Sequence, residues 1–229
     1  MVKFAHQKQK YMNIELIIFD FDGTLGDTRR NIVLTMQSTM RQLGLDIADE
    51  ETCTATIGIP LKAAFARIFP HLSDEALENC TETYRKLFDV NKKSLIPSPF
   101  PQVKETLDRL KRQGIPMTIA SSRSSVSLRE LIDEMGLTDY ISYILGAEDV
   151  VRAKPDPEPV LKTIDHFGKK AENTLVVGDM PVDIMMGVRS KAHTCGVTYG
   201  NASETQLKEA GADFIIHNLS ELLKILHIE

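Results

Sequence analysis

Two carboxylates separated by one phenylalanine, Asp20 and Asp22, end the apolar run "IIFDFDGTL" (Ile17 to Leu25). Alternation along a strand sends both acids to one side and Phe21 to the other, so the pair can face a single ligand. Gly23 permits the sharp exit that follows. Other polar groups stand just beyond apolar runs: Ser121 and Ser122, Lys154 in "RAKPDPEP", and Asp179 with Asp183 in "GDMPVD". Each alone has an ordinary structural role, since Asp22-Gly23 is a turn dipeptide, serines cap helices, Asp183 suits a first helical turn and Lys154 suits a solvated loop. Together they make a different case. Four acids gathered in one crevice repel one another unless a cation binds them. Mg2+ prefers such oxygen ligands, whereas the six histidines are dispersed and none is paired at zinc-ligand spacing. Aspartate is also a nucleophile toward phosphorus, and hydroxyl, N–H and ammonium groups stabilise phosphoryl oxygens. The chemistry that needs this set is transfer of an anionic group assisted by a hard divalent metal.

Positioning these residues requires their strands to lie side by side. Buried strands are expected at Leu16 to Phe19, Met117 to Ala120, Tyr143 to Leu145, Thr174 to Val177, Thr194 to Val197 and Phe214 to Ile216. Helical patterns fill most intervals: Gln102 to Gln113, Ser125 to Met135, Pro157 to Phe167 and Pro181 to Lys191, the first three closed by glycine. This alternation predicts an α/β fold, a doubly wound parallel sheet that binds ligands beyond the carboxyl ends of its strands. One interval departs from it. Residues 28–95 read mostly as helix, with apolar spacing in Ile32, Met36 and Met40, then Leu61, Phe65 and Ile68, then Leu77, Cys80, Tyr84 and Phe88. The expected division is an α/β core of residues 1–27 and 96–229 with an inserted helical cap of residues 28–95. Ser73, followed by two acids, suits the start of the last cap helix, and the prolines of "LIPSPFPQV" suit a stiff crossing back to the core. Gly58 and Pro60 in "TIGIPLKAA" read either as a substrate-reading loop or as the end of one helix and the start of the next. Arg29, Arg30 and Lys62 offer charge to a carboxylate or second phosphate, although surface solvation accounts for each.

Composition sets outer bounds. A chain of 229 residues, 42% hydrophobic and 26% charged, suits one large domain or a domain with an insert. The net charge is −5, and no Lys/Arg tract suits a nucleic-acid backbone. Cys53, Cys80 and Cys195 are scattered without a CxxC pair, as free thiols of a reducing cytoplasm would be. The basic N-terminus lacks the apolar run of a signal peptide, and no segment approaches the ~20 apolar residues of a membrane span. The expectation is a cytoplasmic monomer or homodimer whose partner is a small molecule, with no nucleic-acid or membrane partner. Residues 1 to 11 read as a loose extension.

"DFDGTLGDT" (Asp20 to Thr28), Ser121, Lys154 and "GDMPVD" (Gly178 to Asp183) resemble the four motifs of the haloacid dehalogenase superfamily, in phosphatase order and spacing. The insert resembles the helical cap of its phosphoglycolate phosphatase and β-phosphoglucomutase branch. The resemblance implies a Rossmann-like core, Mg2+ and an aspartyl-phosphate intermediate. It implies Asp20 as nucleophile and metal ligand, and Asp22 as general acid/base with its carbonyl on the metal and Thr24 positioning it. Ser121 and the Ser122 N–H would bind the phosphoryl group, Lys154 would neutralise Asp20 and the phosphate, and Asp179 and Asp183 would hold the metal. Arg123 would contact substrate or sit as a surface charge at a helix start, and Gly58 would belong to the cap's substrate loop. Asp22 argues against carbon–halogen hydrolysis and phosphonate cleavage, and Ile32, where mutases of the branch place a histidine, argues against a phosphosugar mutase. The expected activity is Mg2+-dependent hydrolysis of a small organic phosphomonoester, phosphoglycolate-like or a sugar phosphate. Pyrophosphate and nucleoside monophosphates also suit the core. The alternatives are a mutase and a regulatory binding protein on the same fold.

Overall fold

The computed structural model describes residues 13–228, so the extension expected over residues 1 to 11 lies outside the described residues. In chain order, strand β1 (Leu16–Phe19) is followed by a two-residue strand β2 (Gly26–Asp27). Four helices come next: α1 (Arg29–Gln42), α2 (Glu50–Thr54), α3 (Leu61–Ile68) and α4 (Asp74–Asn91). The chain returns through β3 (Ser98–Pro99) to α5 (Val103–Arg112), β4 (Met117–Ala120), α6 (Ser125–Glu134), β5 (Tyr143–Leu145) and α7 (Glu158–Phe167). It ends with β6 (Thr174–Gly178), α8 (Pro181–Ser190), β7 (His193–Val197), α9 (Glu204–Glu209), β8 (Phe214–Ile216) and α10 (Glu221–Ile225).

The main sheet has the order β5-β4-β1-β6-β7-β8, with every pairing parallel. Its central strands β1, β4 and β6 are buried at every position, which is why they read as continuous apolar runs. Alternate residues serve opposite faces: Ile17 and Phe19 pack with Leu107 and Leu110, whereas Leu16 and Ile18 pack with Val160 and Met186. From β1 the chain moves outward through β4 and β5, then returns to add β6, β7 and β8 on the other side. β1 is therefore the switch point, where adjacent connections diverge and leave a crevice at the carboxyl ends. Phe19 is in register with Ile119 and Val177, so the residues after β1, β4 and β6 arrive at that crevice together.

The helical insert packs α1 along α4 and α4 against α3. Its aromatic seam runs from Phe65, edge-on to Tyr84 at 6.2 Å, to Phe88, stacked on Tyr84 at 5.9 Å. Ser73 caps α4 as expected, its Oγ accepting the Ala76 N–H at 3.2 Å. The proline stretch is extended, and it also pairs: β3 lies antiparallel to β2, with Asp27 opposite Ser98. The two connections of the insert thus run side by side. Short elements such as α2, β2, β3, α9 and α10 carry too few residues for a period to show.

Phe65 is fully buried in the seam. Phe65→Ala should cost about 3–5 kcal/mol in urea unfolding with an unchanged m-value; a cost under about 1 kcal/mol would mean the seam collapses around the cavity at little expense.

Candidate active site

The strand ends bring three acids into one buried cluster: carboxylate oxygens of Asp20, Asp179 and Asp183 lie within 4.8 Å of one another. Asp20 follows β1 directly, its N–H donating to the Val177 carbonyl at 2.8 Å. Asp179 follows β6, and Asp183 lies in the first turn of α8. Lys154, from the loop before α7, donates to Asp20 Oδ1 at 2.6 Å and to Asp183 Oδ1 at 2.7 Å. Its side chain is 2% exposed, so this is a buried bridge and not a solvated loop charge. Asp183 also serves its helix, its Oδ2 accepting the Met180 N–H at 3.0 Å. Asp179 accepts from the Asn201 N–H at 2.7 Å, the Asn201 side-chain amide at 2.8 Å and the Thr24 hydroxyl at 3.2 Å.

Charge is unbalanced in this cluster. Burial, opposed by Lys154 and reinforced by Asp183 and Asp179, pushes the Asp20 carboxyl well above the usual carboxylate range. Burial and the charge of Asp183 push Asp179 up to about 7, against the hydrogen bonds of Asn201 and Thr24. Burial alone would lower the Lys154 ammonium, but Asp183 and Asp20 outweigh it and raise it. An all-oxygen donor set with surplus buried negative charge fits a hard divalent cation.

Asp22 is held apart from this trio. Arg123 grips its carboxylate with both arms of the fork, at 3.1 Å from Nε and 2.6 Å from a terminal nitrogen, while the Thr28 hydroxyl donates to it at 2.6 Å. The Arg123 guanidinium lies 4.6 Å over the Phe88 ring of α4, so the insert and the core meet on this residue. At 8% side-chain exposure, Arg123 is no surface charge. Ser121 accepts the Arg123 N–H at 3.1 Å, and the cap of α6 is Ser124, not Ser121 or Ser122. The Ser122 hydroxyl instead donates to the Gly58 carbonyl at 2.7 Å, a second contact between core and insert. Gly58 has a φ of +93°, between α2 and α3, and Pro60 caps α3.

Of the charges considered for substrate, Lys62 is paired with Asp74 and Glu78, and Arg30 is exposed. Arg29 donates to Asn201 Oδ1 at 2.7 Å and to the Gly200 backbone carbonyl, bracing the loop that holds Asp179. Asn201 was not among the sequence-derived candidates, although it stands beyond the carboxyl end of β7, where the same strand-end rule points. A cavity of about 550 Å³ opens over Asp20, Asp22, Ser121, Ser122 and Arg123, roofed by Gly58 and the α4 residues Tyr84, Arg85 and Phe88.

The sequence profile of haloacid dehalogenase-like hydrolases matches residues 17–197. The chain belongs to this family. The "Probable phosphatase IndB" of Dickeya dadantii is 34% identical over 93% of this chain and 93% of its own length. The phosphoglycolate phosphatase of Aquifex aeolicus is 30% identical over 93% and 97%. The pyrophosphatase PpaX of Oceanobacillus iheyensis is likewise 30% identical, over 94% and 98%. Among solved structures, a Bacteroides fragilis protein assigned to the haloacid dehalogenase-like hydrolases superposes with a TM-score of 0.86 at 30% identity, covering 91% of this chain and 99% of that one. As in this hydrolase family, the acid cluster supports phosphatase chemistry. Among the described residues no helix is long and apolar enough to cross a membrane, and the three cysteines are buried and unpaired.

Without a cation, the unfolded chain loses the Asp20 and Asp179 protons near the ordinary pKa of about 3.9, well before the native state does. Their contribution to stability is therefore full below about pH 4 and is lost as pH rises toward the Asp179 value of about 7. Mg2+ binds the ionised acids, so it should raise the melting temperature more at about pH 8 than at about pH 5.5. Calorimetry showing an equal gain at both pH values would contradict this. Lys154→Met strands two buried acids and should destabilise the metal-free protein by about 3–5 kcal/mol at about pH 8, measured by denaturant unfolding.

Proposed function

We propose that the protein is a cytoplasmic, Mg2+-dependent phosphatase that hydrolyses a small organic phosphomonoester, phosphoglycolate-like or a sugar phosphate, through an aspartyl-phosphate on Asp20. The observation that carries this reading is the buried Asp20–Lys154–Asp183 bridge beside Asp179, opening onto a cavity that also contains Asp22 and Ser121.

Mg2+ held by Asp20, Asp179 and Asp183, with the Asp22 carbonyl, would neutralise the phosphate and let Asp20 stay ionised. Asp20 attacks phosphorus in line with the leaving oxygen, and Asp22 gives that oxygen its proton. Asp22 then takes a proton from water, which attacks the acyl phosphate and returns Asp20 as carboxylate. The Ser121 hydroxyl, the Ser122 N–H and the Lys154 ammonium hold the phosphoryl oxygens meanwhile. Asp22 must carry a proton in the first step, so the Arg123 fork has to release it when substrate arrives. Arg123 positions Asp22 before substrate arrives, Thr24 positions Asp179 through its hydroxyl and not Asp22 as expected, and the Gly58 loop closes the cavity against water. Ile32 places an apolar side chain in the cavity wall and offers no group to shuttle a proton, which leaves mutase chemistry without support there. The buried, unpaired cysteines suit a reducing compartment.

Phosphate release from a panel of phosphoesters should require Mg2+, stop with chelator, and fall on the order of 10³-fold or more in Asp20→Asn. No release from any ester would sink the phosphatase reading. Arg123→Ala should lower kcat/KM about 10- to 100-fold, since Asp22 loses its bidentate guide; unchanged kinetics would exclude a positioning role.

A further inference from the structure

The cavity differs in size and charge from what a doubly anionic substrate of two carbons needs. Its volume of about 550 Å³ falls within the roughly 300–1,000 Å³ of pockets that enclose drug-sized ligands. Glycolate would occupy a small part of it. Away from the acid cluster, Ile32, Met36, Leu61, Phe88 and Val126 provide apolar wall, suited to the faces of a ring.

Charge on the remaining wall is mostly negative: Glu78, Asp89, Glu130 and Glu148 line it against Lys62 and Arg85. Of these, Lys62 is already committed. Lys62 pairs with Asp74 at 2.8 Å and Glu78 at 3.2 Å, and the Arg85 charge acts on Glu148. Arg123 is engaged by Asp22 until substrate arrives. The acids of this wall outnumber its cations, so a second anionic group on the substrate would meet surplus negative charge, and such like-charge juxtaposition is the usual means of rejecting a ligand.

One polar group in the wall has no assigned work. Tyr84 is 7% exposed, lines the cavity, and its hydroxyl has no hydrogen-bond partner among the described residues. Burial pushes this phenol up, so it stays neutral and able both to donate and to accept. Its ring is fixed between Phe65 and Phe88.

We propose that the substrate is the monophosphate ester of an uncharged, ring-bearing alcohol of nucleoside size, and that the Tyr84 hydroxyl hydrogen-bonds that alcohol as a specificity-determining group. This rests on the phosphatase reading above and narrows it. Carboxylate-bearing and pyrophosphate substrates are disfavoured.

The test compares uridine 5′-monophosphate, guanosine 5′-monophosphate and ribose 5-phosphate with 2-phosphoglycolate and pyrophosphate, at low salt with Mg2+, using p-nitrophenyl phosphate as a general reporter. The best ring-bearing ester should exceed 2-phosphoglycolate and pyrophosphate in kcat/KM by about tenfold or more. Tyr84→Phe, which keeps the ring packing, should raise KM for that ester about fivefold or more with little change in kcat. Asp89→Asn, an exposed change away from the reacting atoms, should shift the preference toward 2-phosphoglycolate by about two- to fivefold. Turnover of p-nitrophenyl phosphate with 2-phosphoglycolate or pyrophosphate equal to or better than every ring-bearing ester would overturn this inference alone. An unchanged KM in Tyr84→Phe would remove Tyr84 from it. No turnover of any compound, p-nitrophenyl phosphate included, would overturn the phosphatase reading and this inference with it.

Discussion

Asp20, Asp179 and Asp183 are removed from water within a few ångströms of one another, and a single ammonium, that of Lys154, bridges two of them. Taking a carboxylate out of water costs several kcal/mol, so such a cluster persists only where a rigid frame imposes it and counter-charge returns much of the loss. The frame here is the buried centre of the sheet. β1 and β6 end side by side in fixed register, and the loop after β5 brings Lys154 across to them. Asn201, braced by Arg29, fixes the third acid. The surplus negative charge left after these contacts is the physical reason that this cluster is a candidate cation site.

Asp20 and Asp22 are two residues apart and live in different surroundings. The first faces an ammonium and two acids in the core; the second faces a guanidinium and a hydroxyl at the edge of the insert. Paired carboxylates acquire separate chemical roles through such differences. The Asp22 position also depends on both parts of the molecule at once, because its partner Arg123 sits under Phe88 of α4 and its partner Thr28 immediately precedes α1.

Most of the core was legible because its signals are local or periodic. Apolar strands, glycine-closed helices and the polar residues after each strand are enough to expect Asp20, Ser121, Lys154 and Asp179 at one crevice. What stayed hidden depends on tertiary contact. Arg123 reads as a helix-start charge until Asp22 and Phe88 close around it, and Lys62 reads as available until Asp74 and Glu78 take it. Tyr84 occupies one position of an apolar stripe, and no period distinguishes a tyrosine that lines a cavity from one at rest in a core. Two-residue strands such as β2 and β3 leave no period at all.

That small ribbon has a consequence for how such a protein can change. Because Asp27 and Ser98 are opposite one another, the sheet meets the helices between them as it would meet the loop of a hairpin. The entropy of closing a loop grows only with the logarithm of its length, so the core is nearly indifferent to how much chain is threaded between those two residues. A lid of another size or shape, with its two ends equally close, could be exchanged there without moving β1 or β6, provided that it replaced the Arg29 brace on Asn201. The length of the inserted stretch is thus free to drift, while the few side chains that reach from it to Asp22 and Asp179 are not.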